Sequence, residues 1–213
     1  KIAELTKLLE NIHRAVNLGM INEFKMICDK MGVDTMEVVD AAATKPFGFV
    51  PYYPGPGWGG HCIPVDPFYF SWKAKEFGMN ARFIELAGEM NINVQDWLQE
   101  KILHVLNLGS IALSSSKILL LGLSYKENVD DARESPSLRL YDWISVNGGY
   151  VKYSDPHFPK FPSSSKYIFK DSSVKLTPTS LKKFDLVVLL TKHKGFNYSL
   201  IKTHSKRIID TRG

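Results

Sequence analysis

The strongest chemical signal in the chain is a cysteine near the end of a glycine- and proline-rich loop, residues 54–67. Glycine lets a backbone approach a ligand closely and each proline restricts its own φ, so the loop is expected to be stiff and accessible. Asp66-Pro67 is typical of a helix N-cap followed by proline at the first helical position, and Gly78 is typical of a helix end. Cys62 is therefore expected just before a helix N-terminus, whose partial positive charge favours a thiolate over a thiol. The alternative is a buried structural cysteine, but the chemistry of the loop favours a nucleophile.

The elements that would position this loop are helices. Apolar residues recur at helical spacing through residues 1–32, and Gly32 ends the pattern. Asp34 can cap a short helix that follows. A further long helix is expected over residues 81–108. The first half of the chain is therefore predicted to be all-helical.

Beyond the serine run at residues 114–116, the pattern changes to strands that alternate with helices. Continuous apolar runs are typical of parallel strands that are covered on both faces, and a helix with Ser135 as N-cap separates the first two runs. This alternation predicts a doubly wound, mainly parallel, Rossmann-like α/β domain. The four predicted strands are residues 117–122, 150–153, 184–190 and 207–210.

Ligands of such sheets bind at the carboxyl ends of the strands. The candidate contact points are residues 122–126, Asp155, residues 191–193 and residues 210–212. The first of these lacks the full G-x-G-x-x-G pattern of a dinucleotide fingerprint. Lys126 can supply the counter-charge for a phosphate there, or it can be a solvated loop lysine. Arg133 can bind an anion at the next helix start, or it can pair with a neighbouring carboxylate.

Composition excludes several classes of function. The net charge of +5 and the isoelectric point near 9.0 fit an anionic ligand, but the basic clusters at 182–183 and 192–194 are too short for a nucleic-acid groove. Two cysteines do not make a disulfide framework, and Cys28 lies in a helical pattern that predicts a small buried side chain. A reducing, cytoplasmic setting is therefore expected, without a membrane partner because no stretch reaches transmembrane length. The chain starts inside a helical pattern at Lys1, which predicts that a further part precedes it.

Four segments, taken in order, resemble the signatures of one enzyme family. They cover a helix motif of the form K-L-x-x-N, a cysteine loop, a strand-end signature and a D-x-R motif near the C-terminus. The segments are K-L-L-E-N at 7–11, G-W-G-G-H-C-I-P-V-D at 57–66, G-L-S-Y-K-E-N-V-D-D-A-R-E-S-P at 122–136 and D-T-R at 210–212. Together they resemble the UDP-glucose/GDP-mannose dehydrogenase family.

The resemblance implies a three-domain protein, of which this chain carries two domains. Residues 1–110 would form the central helical domain, with the dimer contacts and the catalytic groups. Residues 111–213 would form the C-terminal α/β domain that binds UDP. An NAD-binding domain would precede Lys1 and is absent from this chain, so the chain alone is expected to be inactive.

The reaction implied by the resemblance is a four-electron oxidation of a sugar C6 alcohol to a carboxylate, with two NAD reduced per turnover. Cys62 would attack the C6 aldehyde, giving a thiohemiacetal and then a thioester, both of which suit a thiolate. Asp66 would orient or deprotonate the hydrolytic water, in addition to capping its helix. Lys7 and Asn11 stand at i and i+4 on one helical face, and the family uses them as donors to the alkoxide and the oxyanion.

The same motifs imply a set of binding residues. Arg133 would contact the phosphates of NAD or the adjacent sugar. Tyr52 and Tyr53 correspond to a substrate-contacting stretch, although their residue types differ from those of the members that oxidise UDP-glucose. The substrate contacts carried over by motif are Tyr52, Tyr53, Gly59, His61, Lys126 and Arg212.

Departures from the UDP-glucose pattern indicate the substrate. Those members have serine before the cysteine and lysine before the aspartate, where this chain has His61 and Val65. Together with residues 44–49, these departures resemble the branch that oxidises UDP-N-acetylhexosamines. UDP-N-acetylglucosamine is the expected substrate, ahead of its galacto and manno epimers. His61 could act as a base or a metal ligand, but a lone histidine beside such a loop more often packs or hydrogen-bonds, so it is assigned substrate contact and no metal is expected.

Three other functions compete with this one. They are a UDP-glucose 6-dehydrogenase, a two-electron alcohol dehydrogenase acting on a nucleotide-sugar, and a non-catalytic nucleotide-sugar-binding protein. The two-electron reaction needs no acyl-forming cysteine, and the binding protein would leave Lys7, Cys62 and Asp66 idle. The sequence therefore favours the four-electron enzyme.

A homodimer through the first helix is also expected. Its apolar face is broader than a seam against its own domain needs, and it includes Met20, Ile21, Phe24, Ile27 and Met31. The two-fold dimers of the family support this expectation. The alternative is a core helix whose apolar contacts are entirely intramolecular.

Overall fold

Four helices and one long loop make up the first part of the chain. The helices are α1 (Ile2–Met31), α2 (Thr35–Ala43), α3 (Asp66–Lys75) and α4 (Arg82–Asn107). The computed structural model describes residues 1–162 and 166–212. Within these residues the chain divides into two units, Lys1–Trp97 and Leu98–Arg212. The predicted helical half is confirmed, with helix bounds close to those expected.

Local sequence signals explain where α1 ends and where α2 begins. Gly32 takes a left-handed backbone with φ +69°, which suits glycine and ends α1. The carboxylate of Asp34 accepts a hydrogen bond from the Met36 N–H at 2.8 Å, so Asp34 is the N-cap of α2 as predicted.

The expectation that Asp66 caps α3 is wrong. Asp66 is the first residue of the helix, and the N-cap position is Val65, whose side chain makes no capping hydrogen bond. The chain already turns before the helix, because the N–H groups of Val65 and Asp66 both donate to the Cys62 carbonyl, at 3.1 and 2.8 Å. The backbone therefore leaves the Asp66 carboxylate available for another partner. Pro67 lies in the first turn, as predicted.

Close packing between α1 and α4 supports the loop that joins α2 to α3. A Cβ on Gly19 would lie 3.2 Å from the Cα of Ala87, so the two helices approach closely at this glycine. Ala15, Ala87 and Trp58 form a buried cluster, which places a loop tryptophan against both helices.

The second unit is a parallel sheet with helices. After the last part of α4, its elements are a 3₁₀ turn (Leu113–Ser115), β1 (Lys117–Leu121), α5 (Pro136–Val146), β2 (Tyr150–Ser154), α6 (Pro178–Leu181), β3 (Leu186–Leu189), α7 (Tyr198–His204) and β4 (Ile208–Asp210). All strand pairs are parallel and the order is β2-β1-β3-β4. Ser135 caps α5 as predicted, its side chain accepting from the Ser137 N–H. The doubly wound α/β expectation is confirmed.

The strand order identifies where this sheet can bind a ligand. The chain runs from β1 to β2 on one side and then returns to β3 on the other side of β1. Parallel sheets of this kind open a crevice between the carboxyl ends of the two strands at which the direction reverses. In this unit those strands are β1 and β3, so the segments after Leu121 and after Leu189 flank the crevice.

Candidate active site

Three amide side chains on α1 and α4 hydrogen-bond to the backbone of the glycine-rich loop. Asn22 accepts from the Gly55 N–H, Asn91 accepts from the Trp58 N–H, and Gln95 donates to the Pro56 carbonyl, at distances from 2.6 to 2.9 Å. Hydrogen bonds to the backbone fix a loop that has few side chains of its own to pack. Sequence reasoning missed these three anchors, which stand on α1 and α4 far from the loop in the chain.

Cys62 lies at the end of this anchored loop, one turn before α3. The residue is half-buried and its thiol is free. Because its carbonyl accepts the N–H groups of Val65 and Asp66, the helical backbone effectively starts at Cys62. The expected position of the cysteine near a helix N-terminus is therefore what the structure has.

Asp66 and Asn11 meet, although 55 residues separate them in the chain. The Asn11 side chain is fully buried on α1, and its Nδ2 donates to Asp66 Oδ2 at 2.6 Å. Arg14 donates to Asn11 Oδ1. Because a guanidinium can only donate and a carboxylate can only accept, these partners determine which end of the amide is oxygen. Sequence reasoning did not single out Arg14.

Lys7 stands on the same helix but in a different environment. Its side chain is 60% exposed, and Nζ pairs with Glu10 at 3.1 Å. An exposed lysine pair of this kind contributes little and is easily exchanged for another partner. Lys7 and Asn11 are therefore spaced as expected, but only Asn11 is held in place within the described residues.

The four loop residues expected to contact substrate differ in how they are engaged. The Tyr52 hydroxyl is 3.0 Å from His13 Nδ1, and the Tyr53 hydroxyl donates to Asp40 at 2.9 Å. The bond to Asp40 raises the pKa of Tyr53 above its ordinary value. Gly59 is buried, whereas His61 is exposed. Both tyrosine hydroxyls are thus engaged inside the chain, and their rings remain as contact surfaces.

In the α/β unit, Lys126 lies in the segment that follows β1. Its side chain is exposed and has no hydrogen bond or ion pair with any described residue. Arg212 follows β4, and its Nε donates to the Leu190 carbonyl at 2.8 Å. Burial lowers the pKa of Arg212, while the negative charges of Glu127 and Asp210 oppose that effect. Because Glu127 is the neighbour of Lys126, the segment of Lys126 lies within electrostatic range of Arg212.

Arg133 adopts the second of its two expected roles. Its guanidinium makes a two-pronged pair with the Asp131 carboxylate, at 2.7 to 3.1 Å. The turn after β1 is also filled by protein, because a Cβ on Gly122 would lie 2.6 Å from the Cβ of Thr191. Among the described residues, no group of His, Cys, Asp and Glu side chains is arranged to hold a metal ion.

Asp155 and His193 were expected as ligand contacts, and this expectation needs correction. Both side chains are fully buried, with His193 Nε2 at 3.3 Å from Asp155 Oδ2. Burial acts to raise the pKa of Asp155, but the contact with His193 and the hydrogen bonds from the N–H groups of His157 and Leu123 outweigh it and lower the pKa. The side chains of these two residues are therefore buried within the unit, where they organise the strand ends.

The chain thus combines a helical unit that presents a cysteine loop with a parallel α/β unit that carries cationic side chains at its strand ends. The chain belongs to the UDP-glucose/GDP-mannose dehydrogenase family. Residues 1–93 match the family's central domain and residues 119–213 match its UDP binding domain. In the part of the chain that the structure describes, no helix is long and apolar enough to cross a bilayer.

Several proteins that are similar to this chain are named as UDP-sugar dehydrogenases. A UDP-N-acetyl-D-mannosamine dehydrogenase of Methanococcus maripaludis (strain C7) is 34% identical over 194 residues, which are 91% of this chain and 42% of that protein. A UDP-N-acetyl-D-glucosamine 6-dehydrogenase of Pseudomonas aeruginosa is 36% identical over 156 residues, 73% of this chain and 36% of that protein. The solved structure of a UDP-D-ManNAc dehydrogenase from Pyrococcus horikoshii matches this chain with a TM-score of 0.83 at 28% identity. The match covers 100% of this chain and 48% of that protein's chain. The chain thus spans less than half the length of these relatives.

Proposed function

We propose that the complete protein is an NAD-dependent 6-dehydrogenase that oxidises the C6 alcohol of a UDP-N-acetylhexosamine to the uronate. The observation that carries the proposal is the half-buried Cys62 thiol at the end of an amide-anchored loop, beside the Asn11–Asp66 pair. Family membership and the names of the similar proteins support a nucleotide-sugar dehydrogenase.

Cys62 is proposed as the covalent nucleophile. Its thiolate adds to the C6 aldehyde, forming a C–S bond and a thiohemiacetal whose oxidation gives a thioester. Water then cleaves the C–S bond, releasing the carboxylate and regenerating the thiol. When bound, NAD would accept a hydride in each of the two oxidations, first that of the C6 alcohol to the aldehyde and then that of the thiohemiacetal to the thioester. Cys62 directly precedes the first turn of α3, the end of a helix that carries partial positive charge.

Asp66 and Asn11 are proposed to serve the same reacting carbon. One Asp66 oxygen accepts from Asn11 at 2.6 Å, which leaves the other oxygen to orient a water for thioester hydrolysis. Asn11 retains a second N–H for an oxyanion, since only one is used on Asp66. Lys7, whose exposed pair with Glu10 is easily exchanged, would donate to the C6 alkoxide.

The UDP group is proposed to bind at the strand ends of the α/β unit. Lys126 has no partner among the described residues, and Arg212 presents a guanidinium held by Leu190. Both are cations suited to a diphosphate. Tyr52, Tyr53, Gly59 and His61 would contact the substrate from the loop. Arg133 remains the proposed residue of this chain for NAD phosphate, although it is paired with Asp131.

The sugar is proposed to be an N-acetylhexosamine, with UDP-N-acetylglucosamine as the expected epimer. The departures at His61 and Val65 support this class. The names of similar proteins include N-acetylmannosamine, N-acetylglucosamine and N-acetylgalactosaminuronic acid dehydrogenases. They share the 2-acetamido group and differ in epimer, so they support the class and leave the epimer to experiment.

The proposed assembly is a homodimer through α1. Met20, Phe24, Ile27 and Met31 follow the helical spacing of one face, and each is between 38 and 69% exposed. Ile21, also expected on this surface, is buried at 5% exposed and belongs to the core of its own unit. A second copy covering the exposed stripe would remove it from water.

The decisive experiment is a substrate panel with the complete protein, following NADH formation. UDP-N-acetylglucosamine, its manno and galacto epimers and UDP-glucose are compared, with two NADH expected per sugar. Cys62→Ser should abolish net oxidation while UDP-sugar affinity changes by less than about tenfold. Cys28→Ala, at the chain's other cysteine, is the matched control and should retain turnover.

Each alternative has its own outcome. Preference for UDP-glucose would assign the UDP-glucose activity. One NADH per sugar, with Cys62→Ser active, would indicate a two-electron dehydrogenase. Binding without any turnover in the complete protein would indicate a non-catalytic nucleotide-sugar-binding protein.

A further inference from the structure

The carboxyl ends of β1, β2 and β3 are joined by a buried polar cluster. Asp155, directly after β2, accepts from the N–H groups of Leu123 at 2.6 Å and Ser124 at 3.2 Å, which follow β1. His193, four residues beyond β3, lies with Nε2 at 3.3 Å from Asp155 Oδ2, close enough for attraction although not aligned as a hydrogen bond. Three strand ends are thus tied to one carboxylate.

The other ring nitrogen of His193 has a different partner. Nδ1 accepts a hydrogen bond from the backbone N–H of Asn128 at 3.0 Å. An accepting Nδ1 carries no proton, so the neutral ring has its proton on Nε2, the nitrogen that faces Asp155. The Asn128 side chain returns the contact, because its Oδ1 accepts from the Lys194 N–H at 2.8 Å.

Asn128 is the tip of the segment that carries Lys126. It has a left-handed backbone with φ +58°, a conformation that needs support in a residue with a side chain. The base of the segment is closed separately: Ser124 Oγ donates to the Val129 carbonyl, and Thr191 Oγ1 donates to the Ser124 carbonyl. Lys126 itself is exposed and contributes no contact, so it depends on the segment for its position.

We propose that His193 is a positioning residue for UDP-sugar binding: it holds the tip of the segment 124–131 and thereby places Lys126 toward the diphosphate. The inference rests on the proposed function for the diphosphate contact, but the fixing of the segment is independent of it. The His193 side chain is fully buried, and its contacts within the described residues do not include Lys126. It acts through Asn128, two residues from the lysine.

Two variants separate the hydrogen bonds of His193 from its bulk. His193→Gln offers a carbonyl oxygen to accept from Asn128 and an amide N–H for Asp155, so it can repeat both contacts. His193→Leu fills similar space and can do neither. Hydrogen exchange on the complete protein should show at least about tenfold faster exchange in residues 124–131 of His193→Leu, with β1 and β3 unchanged, and less than about threefold in His193→Gln. An equal increase across the sheet, or no increase in 124–131, would overturn the proposal.

Binding of UDP, measured by calorimetry, tests the link to Lys126. His193→Leu and Lys126→Ala should each lower the affinity for UDP by about tenfold, and the double variant should bind UDP no more weakly than Lys126→Ala alone. Additive losses would overturn the link. Lack of UDP binding by the unmodified protein would refute the proposed function instead, while the exchange result still decides whether His193 holds the segment.

The unmodified protein offers a test that does not depend on a variant folding. The ¹⁵N spectrum of its histidine rings should show His193 protonated on Nε2 and unprotonated on Nδ1. A proton on Nδ1 would exclude the bond from Asn128 and overturn the proposal.

Discussion

Gly122, the residue after β1, should tolerate no side chain. Its φ is +91°, and a Cβ there would lie 2.6 Å from the Cβ and 2.9 Å from the carbonyl oxygen of Thr191. A left-handed backbone costs alanine about 1–2 kcal/mol. The carbon contact is about 1 Å inside the ordinary separation, an overpacking that costs about 1–3 kcal/mol. Gly122→Ala should therefore reduce the free energy of unfolding of the α/β unit by about 2–5 kcal/mol.

Gly148, in the same unit, provides a matched control. Its φ is +81°, but the nearest atom to a Cβ there is Ser114 Cβ at 3.4 Å, an ordinary contact. Gly148→Ala should therefore show the backbone strain alone, about 1–2 kcal/mol. The difference between the two variants measures the close approach of the segments after β1 and β3.

The assay is urea-dependent hydrogen exchange of the amides in β1 and β3, which reports the unfolding of this unit by itself. Because Thr191 Oγ1 also donates to the Ser124 carbonyl at 2.6 Å, Gly122→Ala should in addition speed exchange in residues 124–131. If Gly122→Ala and Gly148→Ala lowered the free energy of unfolding by the same amount, the close approach of Thr191 would not be what excludes a side chain at Gly122. That result would refute the reasoning.

Three further outcomes follow from the site and the surface. Lys126→Ala should weaken the binding of UDP by about tenfold at low salt and by less at high salt, whereas Lys183→Ala should leave it unchanged. If calorimetry showed equal effects for the two variants, a contact between Lys126 and the diphosphate would be excluded. The pKa of Asp155 is lower in the folded protein than in the unfolded chain. Ionised Asp155 therefore contributes its whole stabilisation of the folded state above the unfolded pKa of about 3.9, and this stabilisation is lost as the pH falls through the folded pKa. Unfolding of the α/β unit should therefore depend more steeply on pH below about 5 in the wild type than in Asp155→Asn, and parallel curves would contradict this. Phe24→Glu should convert a dimer to a monomer in light scattering, while Val146→Glu, also at an exposed apolar position, should leave the dimer intact; a wild-type monomer would refute the assembly.

Secondary structure was largely predictable because its signals are local. Gly32 ends α1 through its own φ, and Asp34 caps α2 through a residue two positions away. The fully buried strands, such as Leu186–Leu189, appear in the sequence as unbroken apolar runs because helices cover both faces of a parallel sheet. Each of these features depends on a few neighbouring residues, which are visible in the sequence.

The partners of the site residues were not predictable in the same way. Asp66-Pro67 has every local mark of an N-cap, yet the Asp66 carboxylate bonds to Asn11, 55 residues earlier. Asn91 and Gln95 look like ordinary polar positions of a long helix until the loop is placed over them. The roles of these side chains depend on tertiary contacts, which neither periodicity nor capping rules contain.

The two units hold their functional segments by different chemistry, and the difference has an electrostatic reason. The anchors of the cysteine loop are neutral amides, Asn22, Asn91 and Gln95, which fix the loop backbone without adding a charge to it. A fixed anion beside Cys62 would oppose a thiolate, and the carboxylate of Asp66, at the start of α3, accepts a hydrogen bond from Asn11. At the strand ends the opposite holds, because several N–H donors converge and a single buried carboxylate, Asp155, satisfies them together. A charge is therefore used where it satisfies converging donors, whereas neutral amides hold the backbone of the cysteine loop at Gly55, Pro56 and Trp58.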